Sequence, residues 1–246
     1  MVQLLRDGSR QMMVQFGNFS FRYRNILFPI ALVSLLFEGR RIFTNDLLAA
    51  LIGESVALAG LSLRALTIGL AYIIRGGRNR QVYAETLVQE GMFAHCRNPL
   101  YLGNIVFILG AGIAANSFYF VVIGVPFFSF LYLAIIHAEE NFLRQKFGQD
   151  YIEYCDRVNR LIPNLSGLSQ TLKGMEFKWR RLIVKEYGSI ALAGGTIVLV
   201  LKNLLIHDGY EANLKVIWTL TALLVCFTVI YVVARYLKKS QRLRGD

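Results

Sequence analysis

The sequence has few of the residues that build disulfide frameworks and metal sites. It contains three cysteines, three histidines and four prolines in 246 residues. Cys96, Cys155 and Cys226 are odd in number and follow no ligand spacing, so they predict neither a disulfide framework nor a metal site. We therefore expect no bound metal. The chain also lacks the glycine-rich fingerprint that follows a strand in dinucleotide-binding folds.

Acidic residues are also scarce, with 16 Asp and Glu against 27 Lys and Arg, for a net charge of +11. Such a charge is compatible with nucleic-acid binding, but the basic residues lie between apolar segments and not on one face. We interpret them as loop charges that set membrane topology, and we expect no nucleic-acid partner. Hydrophobic residues make up 55% of the chain and the mean hydropathy is +0.45. The sequence therefore predicts an integral membrane protein.

Six apolar segments predict an all-α, polytopic membrane bundle with about six transmembrane helices. They cover residues 25–37, 47–74, 100–115, 117–137, 189–206 and 214–236. The first is short for a span, so we expect its helix to begin earlier, near Phe16 to Phe21, or to lie tilted. The N-terminal region lacks the apolar run and cleavage site of a signal peptide, so this span is expected to stay in the protein. The third and fourth segments are separated by little more than Asn116, which predicts an antiparallel hairpin.

The distribution of basic residues predicts the orientation of the bundle. With both termini in the cytoplasm, 22 of the 27 Lys and Arg residues lie on the cytoplasmic side. Four lie on the opposite side, and these are Arg40, Arg41, Lys202 and Lys215. This asymmetry follows the positive-inside rule.

Arg64 lies deep within the second predicted span. A charge at that depth costs about 2.5–3.5 kcal/mol on insertion scales, so it needs a partner or a polar cavity. Glu54 lies ten positions earlier in the sequence, which is a different face of the helix, so it is a poor partner within the helix. Arg64 is either a structural clamp or a contact to a substrate anion.

The first polar motif runs from Gly91 to Gly103, at the start of the third span. Asn98 is a favoured N-cap and Pro99 a favoured first helical residue, so α-helix is predicted to begin there. A helix start with exposed N–H groups attracts anions, and Arg97 beside it adds positive charge. The segment is either a helix cap or a binding site.

The second polar motif begins with Glu139 and Glu140 at the cytoplasmic end of the fourth span. The helix dipole disfavours acids there, so either the helix emerges into water or a cationic ligand group lies close by. The predicted hairpin brings Glu139 level with Pro99, so a zwitterionic or cationic molecule could lie between the motifs. The following residues predict an amphipathic, aromatic-rich interfacial helix bent at Gly148, which serves as a surface anchor or a lid.

Together these residues resemble a known family. The series is Gly60, Arg64, Leu87, Val88, Gly91, Arg97, Asn98, Pro99, Tyr101, Gly103, Glu139, Glu140, Leu143, Phe147, Gly148, Tyr151, Tyr154, Val158, Arg160 and Pro163. In order and spacing it is similar to the isoprenylcysteine carboxyl methyltransferases and the related phospholipid N-methyltransferases. The resemblance covers about residues 56–163. It suggests three regions: an N-terminal arm with the first span (1–55), a methyltransferase-like core (56–165), and a linker with a two-helix extension (166–246).

The resemblance implies a cytoplasmic S-adenosylmethionine site and a lipid-borne acceptor that enters from the bilayer. Leu87 and Val88 would bracket the adenine, and Glu139 and Glu140 would face the cofactor's cationic end, Glu140 being also a catalytic candidate. Arg64 and Arg97 would contact the acceptor. The cofactor cavity would further include Gly91, Asn98, Pro99, Tyr101 and Gly103.

The family most often has histidine where this chain has Asn98, which cannot carry a proton as a general base. We therefore expect carboxylate O-methylation in preference to amine N-methylation. Two other functions stay open: a sterol or isoprenoid reductase-like enzyme that uses NADPH, and a membrane scaffold with a degenerate pocket. The sequence does not identify the acceptor, which could be a membrane lipid or a lipidated molecule, or the oligomeric state.

Overall fold

The computed structural model describes residues 2–37, 39–71, 82–208, 211 and 213–240, and within those ranges it is helical with no β-strand. This confirms the predicted all-α class. We number the α-helices α1 to α8. They are Val2–Val33, Asp46–Leu70, Pro99–Ala114, Val125–Phe147, Gln149–Arg157, Leu168–Gly174, Trp179–Asn203 and Leu214–Lys239.

The chain is a multi-pass membrane protein. Among the described residues, four helical segments are long and apolar enough to cross a membrane: Asp46–Leu70, Phe120–Phe147, Trp179–His207 and Leu214–Lys239. The third predicted span coincides with α3, which is apolar but shorter, and the first lies in α1, which begins even earlier than predicted. The predicted end of the second span, at 72–74, lies outside the described residues.

The turn between the third and fourth spans is fixed by Asn116. Its backbone has a φ of 50°, a left-handed conformation that asparagine tolerates better than most residues. Its side-chain oxygen accepts hydrogen bonds of 2.9 Å from the backbone N–H groups of Ile42 and Phe43. The residue that makes the predicted hairpin therefore also holds the loop before α2.

Helices α2 and α3 pack with their backbones in close approach, because glycines face each other across the interface. A Cβ atom added to Gly60 would lie 2.6 Å from the carbonyl oxygen of Gly103 and 2.6 Å from the backbone nitrogen of Phe107. Gly53 and Gly110 make equally close contacts with the opposite helix. Such small-residue interfaces are typical of membrane helices.

The glycine pair Gly194 and Gly195 in α7 makes no such close approach to a neighbouring helix in the described part of the chain. A Cβ atom at Gly194 would meet only Leu224, at an ordinary 3.4 Å, and one at Gly195 would meet nothing within 4 Å. Position along an apolar helix does not show which glycines face a neighbouring helix.

The interface between the antiparallel helices α2 and α7 carries polar pairs at three levels. Near one end, Asp46 lies 2.8 Å from His207, in the turn that follows α7. In the middle, Thr196 donates a hydrogen bond of 3.0 Å to Glu54. Near the other end, Arg64 pairs with Glu186. These contacts fix α7 in register against α2 and bring its first half to the cavity described next.

Candidate active site

A cavity of about 1090 Å³ opens where α3 begins and α4 ends. Its wall combines residues of α1, α2, α3, α4, α5, α7 and α8 with the segment 82–88 before α3. Eight of the predicted site residues line it, and these are Arg64, Leu87, Val88, Arg97, Asn98, Pro99, Tyr101 and Glu139. The two polar motifs therefore converge on one hollow, as the predicted hairpin requires.

Helix α3 begins in the cavity wall. Pro99 is its first residue and Asn98 its N-cap, as predicted, but the Asn98 side chain makes no cap hydrogen bond. It donates instead to Oε1 of Glu140, at 3.4 Å, and to the carbonyl oxygen of Arg160, at 3.1 Å. Leu100 and Tyr101 also line the cavity, and N–H groups in the first helical turn have no acceptor within the helix. The start of α3 therefore lies in the cavity wall, and a helix start is a type of feature that suits an anion.

The adjacent acids Glu139 and Glu140 have different surroundings. Glu139 lines the cavity, and its Oε1 accepts a hydrogen bond of 2.6 Å from the Tyr101 hydroxyl. Glu140 is buried, with 7% of its surface exposed, and it is not among the lining residues. One carboxylate is therefore available to a ligand and the other belongs to the supporting structure.

Glu140 is the buried centre of an ionic network at the cavity wall. Its oxygens lie 3.2 Å from Nη2 of Arg97 and 2.6 Å from Nη2 of Arg160. Arg97 also donates from Nη1 to the carbonyl oxygens of Cys155 and Val158, at 2.9 and 2.7 Å. Glu140 and Arg97 therefore connect the start of α3 with α4 and the end of α5.

The segment before α3 contributes the apolar side chains of Leu87 and Val88 to the cavity. It is held against the end of α4 by Lys146, whose ammonium donates to the carbonyl of Ala84 and lies 5.2 Å from the centre of the Tyr83 ring. These contacts hold the segment that carries Leu87 and Val88 at the cavity wall.

The two glycines predicted for the cofactor site do not line the cavity. Gly91 has a φ of +61°, and its Cβ position faces Leu70 and Ala71. A Cβ atom at Gly103 would lie 2.7 Å from Cγ of Arg64. Gly91 permits a left-handed turn and Gly103 makes room for the Arg64 side chain. Both glycines therefore influence the shape of the site without lining the cavity.

Arg64 has a partner that the sequence analysis missed. Its Nη2 lies 2.9 Å from both carboxylate oxygens of Glu186, and its Nε lies 3.2 Å from one of them. Its Nη1 donates to the side-chain oxygen of Asn104. Glu186 lies three positions before the fifth predicted span, at 189–206, and 122 positions after Arg64, so no local sequence signal marks it as the partner.

Helix α5 closes part of the cavity with Tyr151 and Tyr154. Both are buried, and burial raises the pKa of each hydroxyl above its ordinary value. The Tyr154 hydroxyl donates a hydrogen bond of 2.7 Å to the carbonyl oxygen of Phe93. Gly148, with a φ of +53°, separates α4 from α5 and confirms the predicted bend. Helix α5 thus forms a fixed wall of the cavity through its buried face.

His95 and His137 lie outside the cavity lining. His95 is buried, with Nδ1 lying 2.7 Å from the carbonyl oxygen of Asn164 and Nε2 lying 2.9 Å from the Thr171 hydroxyl. Nε2 of His137 lies 3.5 Å from the Arg160 guanidinium. In the described part of the chain, no three His, Cys, Asp or Glu side chains are grouped as metal ligands.

Several cavity residues lie outside the motifs that the sequence analysis used. They come from α1, from the inner faces of α3 and α4, and from the last two membrane helices, and they include Arg24, Phe28, Asn104, Tyr132, Lys185, Glu186, Ser189, Leu192 and Tyr231. The site is therefore built from the whole bundle.

Comparison with known proteins gives a family match and several relatives, two of which are described here. Residues 49–150 match the sequence model of the phospholipid methyltransferase family. The chain is 30% identical over 158 residues to the cobalt-zinc-cadmium resistance protein CzcN of Cupriavidus metallidurans. This aligned region covers 61% of this chain and 68% of the relative. It is 34% identical over 80 residues to the nickel-cobalt-cadmium resistance protein NccN of Alcaligenes xylosoxydans xylosoxydans. That aligned region covers 32% of this chain and 37% of the relative. No solved structure matches the chain.

Proposed function

Because the chain belongs to the phospholipid methyltransferase family, we propose that its cavity binds S-adenosylmethionine and transfers the methyl group to a lipid-borne acceptor. Members of this family are generally dependent on S-adenosylmethionine. The observation that carries the proposal is the convergence of Leu87, the start of α3 and Glu139 on one cavity.

The lining residues fit the chemistry of this cofactor. Leu87 and Val88 offer an apolar surface to the adenine, and the first turn of α3 suits the carboxylate of the methionine part. Glu139 suits its ammonium or sulfonium charge. The cavity volume, about 1090 Å³, exceeds the ordinary range of about 300–1,000 Å³ for a small-molecule site. This leaves room for the reacting end of an acceptor beside the cofactor.

The cofactor supplies an activated methyl group, and the chain's own residues align the acceptor and exclude water. Displacement at a sulfonium disperses charge, so alignment and a dry site provide most of the catalysis. Phe28, Phe107 and Leu192 form apolar parts of the wall. The Tyr101–Glu139 hydrogen bond and the Glu140 network hold the polar parts in place.

The acceptor enters from the bilayer, because the cavity lies among helices that span the membrane. We place the cavity mouth and both termini on the cytoplasmic side, in accordance with the distribution of Lys and Arg. The N-terminal half of α7, with Lys185 and Ser189, and Tyr231 of α8 form one side of the cavity. We propose that this is the side that faces the acceptor.

The names of the two relatives connect those proteins with metal resistance. We propose that any part this chain has in such resistance is exerted through methylation of a membrane component. Direct ion binding has less support, since the described residues hold no cluster of three potential ligands.

Transfer of a labelled methyl group tests the proposal. The purified protein, incubated with S-[methyl-³H]adenosylmethionine and a total membrane lipid extract, should label one lipid fraction. Glu139→Gln should reduce the labelling strongly, while Glu153→Gln, at an exposed position of α5, should not. The absence of labelled lipid at any enzyme concentration, together with reduction of a lipid by NADPH, would favour the reductase.

A further inference from the structure

Arg24 is a cavity residue from a helix outside the family match. It lies on α1, whereas the match begins at residue 49. Phe21, Arg24 and Phe28 all line the cavity, and their spacing of three and four positions places them on one face of the helix. The guanidinium carbon of Arg24 lies 4.2 Å from the centre of the Phe21 ring. This cation–π contact holds the charge in the cavity wall.

Helix α1 is fixed against the helix that carries Glu139. A Cβ atom at Gly17 would clash with the backbone of α4, so the two helices touch there. Further along α1, the Phe28 ring stacks on the Tyr132 ring of α4, with centroids 4.7 Å apart. Arg24 lies between these two contacts on α1, so the packing of α1 on α4 sets its position relative to Glu139.

Three other cations of described residues line the cavity, from different helices. Arg64 pairs with Glu186, and Arg97 pairs with Glu140. The charges of these two arginines are therefore largely compensated by the protein itself. Lys185 belongs to α7, and it is the alternative cation for an anionic ligand group.

Arg24 and Glu139 carry opposite charges on the same cavity without direct contact. Among the described residues, Arg24 takes part in no ion pair. Its charge nevertheless acts on the Glu139 carboxylate and on Tyr101, in the first turn of α3. The guanidinium therefore lies near both the start of α3 and Glu139, at more than ion-pair distance from the carboxylate.

Such an arrangement suits the two charges of an α-amino acid. The carboxylate and the ammonium group are attached to the same carbon, so a protein binds both when a cation and an anion face one space. A guanidinium can donate two parallel hydrogen bonds to a carboxylate, and a glutamate accepts hydrogen bonds from an ammonium group. The N–H groups at the start of α3 add further donors for the carboxylate.

We propose, on the basis of the methyltransferase function above, that Arg24 binds the carboxylate of the cofactor's methionine part while Glu139 binds its ammonium group. Arg24 is then a cofactor-binding residue that the N-terminal helix supplies to a site otherwise formed largely by the family region. Holding this end of the cofactor fixes the sulfur and its methyl group in the cavity, and methyl transfer depends on that alignment.

Binding of S-adenosylhomocysteine and two analogues tests this clamp. S-adenosyl-3-thiopropylamine lacks only the carboxylate, and S-adenosyl-4-thiobutyrate lacks only the ammonium group. Their affinities can be measured by calorimetry with the full chain in lipid nanodiscs. The wild type should bind S-adenosylhomocysteine about tenfold more tightly than either analogue. Equal affinity for S-adenosylhomocysteine and the analogue without the carboxylate would overturn the proposal.

Substitution of Arg24 should affect recognition of the carboxylate alone. In Arg24→Met, S-adenosylhomocysteine and S-adenosyl-3-thiopropylamine should bind with similar affinity, while the preference over S-adenosyl-4-thiobutyrate stays. Glu139→Gln should do the reverse, because it removes the partner of the ammonium group. A purely structural role of Arg24 would weaken all three ligands equally, and that result would contradict the proposal.

Two further arginine and lysine variants serve as comparisons. Arg22 lies two positions from Arg24 on α1, about 200° around the helix, is exposed and lines a separate groove of about 500 Å³. Arg22→Met should therefore keep the wild-type ratios. Loss of the carboxylate preference in Lys185→Met, with the preference retained in Arg24→Met, would assign the carboxylate to α7 instead.

A conservative variant keeps the test decisive if Arg24→Met does not fold. Arg24→Lys keeps the charge but not the planar pair of donors, so the carboxylate preference should be reduced and not abolished. An unchanged preference in Arg24→Lys would count against the guanidinium contact.

The same titrations separate this proposal from the cofactor assignment. Failure of all three ligands to bind would remove the methyltransferase function and the role of Arg24 with it. Binding of S-adenosylhomocysteine without a carboxylate preference would remove only the role of Arg24.

Discussion

The Tyr101 hydroxyl donates a hydrogen bond of 2.6 Å to Oε1 of Glu139. The two residues are 38 positions apart, at the first turn of α3 and in the second half of α4, and both line the cavity. Their contact fixes the carboxylate orientation and joins the two polar motifs directly.

Removing this hydroxyl should weaken nucleotide binding while the bundle stays folded. In Tyr101→Phe, Glu139 loses a buried charged hydrogen bond worth about 1.5–3 kcal/mol, so affinity for S-adenosylhomocysteine should fall about tenfold or more. Calorimetry in detergent measures the change. Tyr119→Phe, at an exposed position near the other end of the bundle, is the matched control. Wild-type affinity in Tyr101→Phe would show that the hydroxyl does not shape the binding site.

Glu140→Gln should affect folding as well as binding, because Glu140 supports Arg97 and Arg160 from behind the wall. Loss of one partner of a buried ion pair lowers the free energy of unfolding by about 3–5 kcal/mol. The pair with Arg160 should contribute little to this loss, because Arg160 is the more exposed arginine. The thermal midpoint should therefore fall clearly below that of Glu153→Gln. If Glu140→Gln lost nucleotide binding with an unchanged midpoint, Glu140 would be a direct ligand contact instead.

The glycine contacts predict opposite results for two identical substitutions. Gly60→Ala places a methyl group against the α3 backbone, which cannot move aside, and should destabilise the bundle by about 1–3 kcal/mol. Gly195→Ala places the same group in open space and should leave stability unchanged or slightly improved. Thermal midpoints in the same detergent compare the two. Equal midpoints would mean that α2 and α3 do not approach as closely as described.

The orientation can be tested with single cysteines at opposite ends of the bundle. In a background without the three native cysteines, Arg40→Cys should react with an impermeant maleimide on intact cells. Asp150→Cys, at the start of α5, should react only after permeabilisation, because the proposed orientation directs the cavity mouth to the cytoplasm. The reverse pattern would place the site on the other side of the membrane.

Much of the fold follows from local sequence signals. Apolar length predicts the membrane helices, and Asn98 with Pro99 predicts the start of α3 because these residues suit a helix start by their own geometry. The bend at Gly148 and the turn at Asn116 follow from local backbone preferences in the same way.

The composition of the site depends on contacts that no local pattern contains. Arg64 and Glu186 are 122 positions apart, and only the packing of α7 on α2 brings them together. Successive residues of a helix point about 100° apart, so of two adjacent acids one can face the cavity and the other the supporting network. The sequence does not show that Glu139 is the former and Glu140 the latter.

The most direct test of the account is calorimetric titration of the purified protein with S-adenosylhomocysteine, with NADPH as the comparison nucleotide. A cavity formed by Leu87, the start of α3 and Glu139 should bind one S-adenosylhomocysteine per chain, and Glu139→Gln should weaken that binding. NADPH should give no saturable heat. The reverse result, with NADPH bound and no heat from S-adenosylhomocysteine, would contradict the assignment of this cavity to methyl transfer.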